Sequence, residues 1–215
     1  MGGILCTKTR RKRSLFLYQT SQRFPSGRTI GGIRLVGQGL TVSWIRRPGR
    51  QQWNTEIVQC RIVSDIQAND ELWMEEALRA AQRALEIGEV PVGAVVVCDG
   101  KIVGRGWNRN ITDSDPSGHA EILALREAGA NLGNHRLGEC ELFVTIEPCA
   151  MCAGALVHAR IKRLIYGADD PKAGAVQSVL QVLNHPQLNH KMDVQSGVLA
   201  GRCADLLQMF FKNRR

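Results

Sequence analysis

The chain has 215 residues, of which 44% are hydrophobic and 22% charged, enough for one globular domain of ordinary size plus an appendage. Its seven cysteines form an odd, scattered set with a single C-x-x-C, which is not the pattern of a disulfide framework and indicates a reducing compartment. No apolar run approaches the roughly 18 residues that a membrane helix needs, so we expect no membrane partner.

The net charge of +8 is concentrated in the first third of the chain. Residues 1–69 contain 12 Lys and Arg against two acidic residues, whereas residues 70–215 contain 16 against 18. Residues 1–55 also lack helical or strand periodicity, so we expect 1–69 to be a basic, disordered extension. Three interpretations stay open for it: an organelle transit peptide, a nucleic-acid-binding arm, or an upstream extension without function from a misassigned start codon. The domain proper is expected over 70–215.

From residue 69 onward the chain shows clear secondary-structure signals. Asn69 or Asp70 can cap a helix over Glu71–Ile87, which Gly88 would end. A β-hairpin with an Asp99-Gly100 turn is predicted next. The hairpin strands are Gly93–Cys98 and Lys101–Trp107; further strands are predicted over Glu141–Ile146, Arg163–Gly167 and Asp193–Leu199, and helices over His119–Ala130, Cys149–Ala159, Ala175–Leu183 and Ala200–Lys212. This alternation predicts an α/β fold, with a largely parallel five-stranded sheet opened by one antiparallel hairpin and covered by helices on both faces.

Two short motifs together predict a metal site. His119-Ala120-Glu121 begins one helix, and Pro148-Cys149-Ala150-Met151-Cys152 begins another, with Cys149 and Cys152 on one helical face. Structural zinc sites normally have four protein ligands, whereas catalytic sites keep three and leave one position for water. One His and two Cys leave that position open. A closed structural site would need a fourth ligand, for which Cys98 and Cys140 are the candidates.

The motif H-x-E…P-C-x-x-C is the signature of zinc-dependent nucleobase deaminases. Zinc held by His119, Cys149 and Cys152 would lower the pKa of a bound water to about 7. Glu121, which is not a ligand in this signature, would take the proton of that water and pass it on. The expected reaction is a hydrolysis in which an amine leaves.

Beyond these motifs, residues from about Glu71 to Arg215, some two-thirds of the chain, resemble the bacterial-type tRNA adenosine deaminases of the cytidine deaminase superfamily. The resemblance lies in residues 88–94 (GEVPVGA), 106–109 (GWNR), 115–122 (DPSGHAEI), 147–156 (EPCAMCAGAL) and 166–170 (YGADD). It implies a cytidine deaminase-like three-layer α/β/α sandwich and a cytoplasmic homodimer with one zinc per subunit. The implied activity is conversion of the wobble adenosine of a tRNA anticodon to inosine.

The same resemblance implies roles for several further residues. Asn108 would hydrogen-bond the flipped base, and the backbone around Ala120, with side chains near 91–94, would shape the adenine pocket. Asp170 and His185 would lie near neighbouring nucleotides of the anticodon stem-loop, and residues 210–215 would touch the RNA. Other roles stay open: Asn108 as a cap of the following loop, Asp170 as a turn residue before Pro171, and His185 as ordinary loop.

Two rival functions remain open on the sequence. A free-base or nucleoside deaminase acting on guanine or cytosine shares the zinc signature, although the residues outside the signature favour tRNA. A non-catalytic RNA-binding subunit with structural zinc would not need Glu121. Because residues 70–215 carry a net charge of −2, RNA affinity must come from a local cluster of cations. The candidates are Arg160, Lys162, Arg163, Lys172, Lys191, Lys212, Arg214 and Arg215.

Overall fold

The structure is a computed structural model that describes residues 55–214 and three short strands before them, with side chains described for residues 69–214. The chain divides into two compact units, Met1–Asp65 and Ile66–Arg215. In the first unit, strands β1 (Leu17–Tyr18), β2 (Ile33–Val36) and β3 (Gly39–Thr41) form an antiparallel sheet in that order. Apart from these three strands, residues 1–54 lie outside the described residues, and so does the prediction that they are disordered.

Helix α1 runs from Thr55 to Glu86, so its predicted start at residue 69 or 70 was wrong by more than a dozen residues. No Gly or Pro lies between 55 and 86, and nothing in that stretch breaks a helix. Asp70 does not cap: it is 2% exposed, and the Arg163 guanidinium donates to its Oδ1 at 2.8 Å. The predicted stop is confirmed, because Gly88 follows the helix with φ +80°.

Five strands form the mixed sheet of the second unit, as the sequence predicted. They are β4 (Gly93–Cys98), β5 (Lys101–Trp107), β6 (Cys140–Ile146), β7 (Arg163–Ala168) and β8 (Asp193–Gln195), in the order β5-β4-β6-β7-β8. Strand β4 is antiparallel to both of its neighbours, whereas β6, β7 and β8 are parallel. The β4–β5 turn has the predicted two residues, Asp99 and Gly100, both with positive φ.

Helices cover both faces of this sheet, which confirms the three-layer α/β/α sandwich. The remaining helices are α2 (Ala120–Leu132), α3 (Ala150–Ala159) and α4 (Ala200–Lys212). Side chains of β4 alternate between two cores: Ala94 and Val96 join the core that contains residues of α2 and α3, while Val95 and Val97 join the core that contains residues of α1 and α4. The sheet is thus buried on both faces, by one apolar core on each side.

Of two elements predicted near the C-terminus, one is absent and the other is shorter than expected. Residues 175–183 do not form a helix: they are turns that lead into a single 3-10 turn at Val182–Asn184. The backbone hydrogen bonds show why: the N–H groups of Val179 and Leu180 donate to the Gly174 carbonyl and that of Val182 to the Ala175 carbonyl, and not to carbonyls four residues earlier. The strand predicted over 193–199 ends at Gln195, before Gly197 and Leu199, both at positive φ.

Within the described residues, none of the helices combines the length and the apolar character needed to cross a membrane.

Candidate metal centre and active site

The two predicted motifs meet at one edge of the sheet. Because β4 is antiparallel to both β5 and β6, those two strands run in the same direction and end at the same edge. The loop after β5 leads to His119, the N-cap of α2, and the short turn after β6 leads to Cys149, the N-cap of α3. Neither side chain makes a capping hydrogen bond to its own helix. Both therefore remain available for a shared ligand.

Close packing of α2 on β5 fixes the position of His119. A Cβ atom on Gly106 would lie 2.0 Å from the Ala120 carbonyl oxygen, and one on Gly104 would lie 2.2 Å from that of Ala124. Real Cβ contacts do not come that close, so only glycine at these two strand positions lets the helix backbone rest directly on the strand. The first turn of α2, which carries the metal and acid motif, depends on that contact.

The three predicted ligands converge. His119 Nδ1 lies 3.6 Å from Cys149 Sγ and 3.5 Å from Cys152 Sγ, and the three donor atoms lie within 4.8 Å of one another. For tetrahedral zinc, with Zn–S of about 2.3 Å and Zn–N of about 2.0–2.1 Å, the N···S separation is about 3.6 Å. Both the donor set and the distances therefore fit a zinc ion, with Nδ1 as the histidine ligand atom.

The ionisation of the ligands reflects their mutual contacts. The neighbouring Cys152 and His119 lower the pKa of Cys149 to about 3, which makes it a thiolate at neutral pH. Contact with Cys149, and then burial, raise the pKa of Cys152. The hydrogen bond with Cys149 likewise raises the pKa of His119. A divalent cation would favour the thiolate form at both cysteines.

Glu121 lies two residues from His119 and is not one of the three clustered donors. Its side chain is 3% exposed. Burial is the main reason that its pKa is raised above the ordinary glutamate value. A buried carboxyl group with a raised pKa beside an open metal position has the properties of a general acid and base.

The closed, four-ligand alternative does not fit the fold. Cys98 is the last residue of β4 and Cys140 the first of β6, and the two are direct partners across the antiparallel ladder. They therefore lie at the edge of the sheet opposite to the metal motifs. Within the described residues, the metal-ligand group is His119, Cys149 and Cys152 alone.

Asn108 and Ala120 contact each other at the start of α2. The Ala120 backbone N–H donates to Asn108 Oδ1 at 3.0 Å, and the Asn108 N–H donates to the Val92 carbonyl at 3.1 Å. Asn108 is 8% exposed and Ala120 fully buried. The Asn108 side chain thus holds the helix that carries His119 and Glu121, so its oxygen and the Ala120 N–H both have protein partners.

Asp170 and His185 lie in loops and make local contacts. Asp170 Oδ1 accepts from the backbone N–H groups of Lys172 and Ala173 at 2.9 and 3.2 Å, as expected of a turn residue. His185 is exposed, and its Nδ1 accepts from the Gln187 N–H at 3.3 Å. Neither is among the clustered donors, and a contact of either with RNA stays a prediction.

Two buried glutamates organise the loops around the site, and sequence reasoning missed both. Glu89 Oε1 accepts from the Ile111 and Thr112 N–H groups in the loop that leads to His119. Glu147, directly before Pro148 and Cys149, accepts from the N–H groups of Asp170, Val176, Gln177 and Ser178 and from the Ser178 hydroxyl. Although burial opposes ionisation, these hydrogen bonds lower the pKa of Glu147 to about 2. Its only sequence signal was its place beside the C-x-x-C motif.

Known proteins similar to this chain are deaminases, which agrees with the composition of the site. Residues 68–215 match the MafB19-like deaminase family. The chain is 50% identical over 147 residues, 68% of its length, to a Haemophilus influenzae protein named tRNA-specific adenosine deaminase and covers 85% of that protein. A solved structure from a study of A-to-I editing by tRNA:A34 deaminases at the wobble position of transfer RNA has 47% identity and a TM-score of 0.61. The match covers 63% of this chain and 98% of that one.

A more distant similarity is to guanine deaminase from Nitrosomonas europaea. That structure has 26% identity and a TM-score of 0.55, and the match covers 65% of this chain and 83% of that one.

The fold and the site together define a hydrolytic deaminase whose three-donor centre can hold a metal ion beside a buried glutamate. The extent and identity of the sequence match are more specific. The chain belongs to the deaminase family matched over residues 68–215 and, within it, to the tRNA-specific adenosine deaminases.

Proposed function

We propose that this protein hydrolyses adenosine to inosine at the wobble position of a tRNA anticodon, with release of ammonia. The observation that carries the proposal is the buried Glu121 beside a His/Cys/Cys donor set, in a chain 50% identical to a tRNA-specific adenosine deaminase. Water adds at C6 of the adenine ring, and the exocyclic amine leaves as ammonia.

The residues of the site take distinct roles in this proposal. His119, Cys149 and Cys152 would hold one zinc per subunit, and zinc bound there would supply an activated water at neutral pH. Glu121 accepts the proton of the attacking water and delivers it to the departing amine. Its burial excludes bulk water, which would otherwise compete for that proton.

Substrate recognition is assigned to the residues at the edge of this centre. Since Asn108 Oδ1 accepts from Ala120, the amide NH2 is the end of Asn108 that would donate to the base. The backbone around Ala120 is assigned to the shape of the adenine pocket, and its N–H is already bound to Asn108 Oδ1. Asp170 and His185 are assigned to neighbouring nucleotides of the anticodon loop, where bases are already unpaired and cheap to extrude.

A free-base or nucleoside deaminase acting on guanine or cytosine is the second candidate, favoured by the similarity to a guanine deaminase. That similarity, at 26% identity, is weaker than the 47–50% identity to the tRNA enzymes. A non-catalytic RNA-binding subunit is disfavoured, because such a subunit has no use for a buried carboxylate beside three metal ligands.

A direct comparison of substrates tests the proposal. The zinc-loaded protein is incubated separately with an adenosine-containing anticodon stem-loop, free adenosine, cytosine and guanine, while inosine and ammonia are measured. We expect inosine from the stem-loop and little ammonia from the free compounds. Ammonia from guanine, without inosine in the stem-loop, would establish the second candidate instead.

The proposal also includes a homodimer and a cytoplasmic location. Both are supported by membership of the family of bacterial tRNA-specific adenosine deaminases. Sedimentation of the zinc-loaded protein at micromolar concentration tests the dimer, for which we expect twice the chain mass of 23.7 kDa. Fractionation of cells that express the complete chain tests the location, with an organelle as the contrary result.

A further inference from the structure

A groove of about 460 Å³ lies at the opposite end of α3 from the metal ligands. Four basic side chains line it: His135 and Arg136 from the segment before β6, and His158 and Arg160 from the end of α3. In the described part of the chain, no acidic residue lines this groove. The ten residues of α3 correspond to about 15 Å, so the groove is one short helix away from the reacting position.

The charge of this groove stands out because most arginine charge in the domain is already neutralised. Six arginines pair with carboxylates: Arg79, Arg105, Arg109, Arg126, Arg163 and Arg202. Arg163, one of the cations expected to attract RNA, is half-buried between Asp70 and Glu141. Because it pairs with both carboxylates, it is not available to bind RNA phosphates. Four arginines have no carboxylate partner among the described residues. Arg83 and Arg214 lie over the rings of Trp107 and Phe210, whereas Arg136 and Arg160 line the groove.

The end of α3 explains only part of this cluster. A cation near a helix C-terminus interacts favourably with the helix dipole, which accounts for Arg160, the C-cap of α3. Arg136 is not on that helix, yet it reaches the same groove and is exposed. Arg160 donates one guanidinium bond to the Asn189 carbonyl at 2.8 Å, which orients it and leaves other donors for a ligand.

We propose that this groove, defined by His135, Arg136, His158 and Arg160, binds backbone phosphates of the RNA whose loop enters the metal site. The proposal rests on the proposed function, since it takes the ligand to be an anticodon stem-loop. A domain with a net charge of −2 needs such a local concentration of unpaired cations to hold a polyanion. The groove would bind phosphates of the RNA stem, while the loop of the same RNA enters the metal site.

Salt-dependent binding tests this directly. Binding of a fluorescently labelled anticodon stem-loop to zinc-loaded protein is measured across salt concentrations for wild type, Arg136→Ala, Arg160→Ala and the double variant. We expect several-fold weaker binding for each single variant. The slope of log affinity against log salt should fall by about one for each phosphate contact removed.

Arg79→Ala is the matched control, because it removes the same charge from an exposed side chain that already pairs with Glu76 on α1. It should leave both affinity and slope near the wild-type values, and zinc content should be equal in all variants. An unchanged salt slope in the double variant would overturn the proposal. A change of sedimentation without loss of RNA affinity would do so too, by assigning the groove to a protein interface.

The failure of this proposal is distinguishable from failure of the proposed function. If the wild type forms inosine in the stem-loop while the double variant keeps its affinity, the activity stands and the groove assignment is wrong. If RNA binding depends on Arg136 and Arg160 but no inosine forms, the groove stands and the activity is wrong.

Discussion

Glu121 and the three predicted metal ligands lie close together, but their substitution should have different effects. Glu121→Ala should retain zinc at the wild-type ratio, because the carboxylate is not among the clustered donors. Turnover of the stem-loop should fall by at least about 10²- to 10⁴-fold, the usual contribution of a general acid and base. His119→Ala is the contrasting variant and should lose metal. Loss of zinc from Glu121→Ala would mean that the carboxylate is a ligand.

Glu147 is predicted to stabilise the fold through its ionised form. With a pKa near 2 in the folded protein and about 4.5 when unfolded, its contribution is fully present above about pH 4.5 and is lost as pH falls toward 2. Glu147→Gln should lower the free energy of unfolding by roughly 3 kcal/mol at pH 7, with a deficit that shrinks below pH 4.5. Urea unfolding of the metal-free protein between pH 7 and 3 measures this.

Glu139→Gln is the control for that measurement, since Glu139 is exposed and close in the chain to the start of β6. Its unfolding free energy should follow the wild type at every pH. A deficit for Glu147→Gln that stays constant as the pH falls would show that shape, and not charge, accounts for its effect.

At the scale of elements, the contact between β5 and α2 controls the site. Gly106→Ala would place a methyl group 2.0 Å from the Ala120 carbonyl, so α2 must move away from the sheet and carry His119 and Glu121 with it. We expect a loss of about 1–3 kcal/mol of stability, as for an overpacked core, with weaker zinc binding and lower turnover. Thermal unfolding and zinc titration measure these two effects.

Gly201→Ala provides the comparison, because a Cβ there meets no atom within 4 Å and the residue lies inside α4. Helix propensity alone should then raise stability by about 0.5–1 kcal/mol, with zinc affinity unchanged. Equal zinc affinities in the two glycine variants would contradict the argument that backbone contact positions the site.

At the scale of the whole molecule, the metal is expected to join two halves of the domain. His119 follows the β4–β5 hairpin, whereas Cys149 and Cys152 follow β6, so one ion connects segments about 30 residues apart. Chelation should therefore lower the melting temperature of the protein. Zinc at 1,000 times its dissociation constant should restore about 4 kcal/mol. A melting temperature indifferent to zinc would contradict a site formed only in the folded state.

Charge also acts at this scale. The positive net charge belongs to residues 1–69, while the deaminase domain is slightly acidic and most of its arginines are paired. The separation explains why overall composition is a poor guide to RNA binding here, and why the proposed phosphate contacts are few and local.

The sequence by itself predicted most elements and the spacing within each motif of the candidate site, because these depend on neighbours in the chain. Cys149 and Cys152 share a face through helical spacing, and Asp99-Gly100 makes a two-residue turn from local backbone preference. Both features follow from backbone geometry over a few residues and do not depend on contacts with distant parts of the chain.

Only the tertiary structure decided the rest, since it depends on residues distant in the chain. Glu147 accepts from the N–H groups of residues 176–178, and the following N–H groups donate to Gly174 and Ala175, so the segment predicted as a helix over 175–183 folds as a set of turns around this carboxylate. Asp70 faces Arg163, 93 residues away, and is not a cap. Likewise, the unpaired Arg136 and Arg160 share a groove only once β6 and α3 are folded. A buried carboxylate or an unpaired cation has no local signature, because its energy is set by partners that folding brings to it.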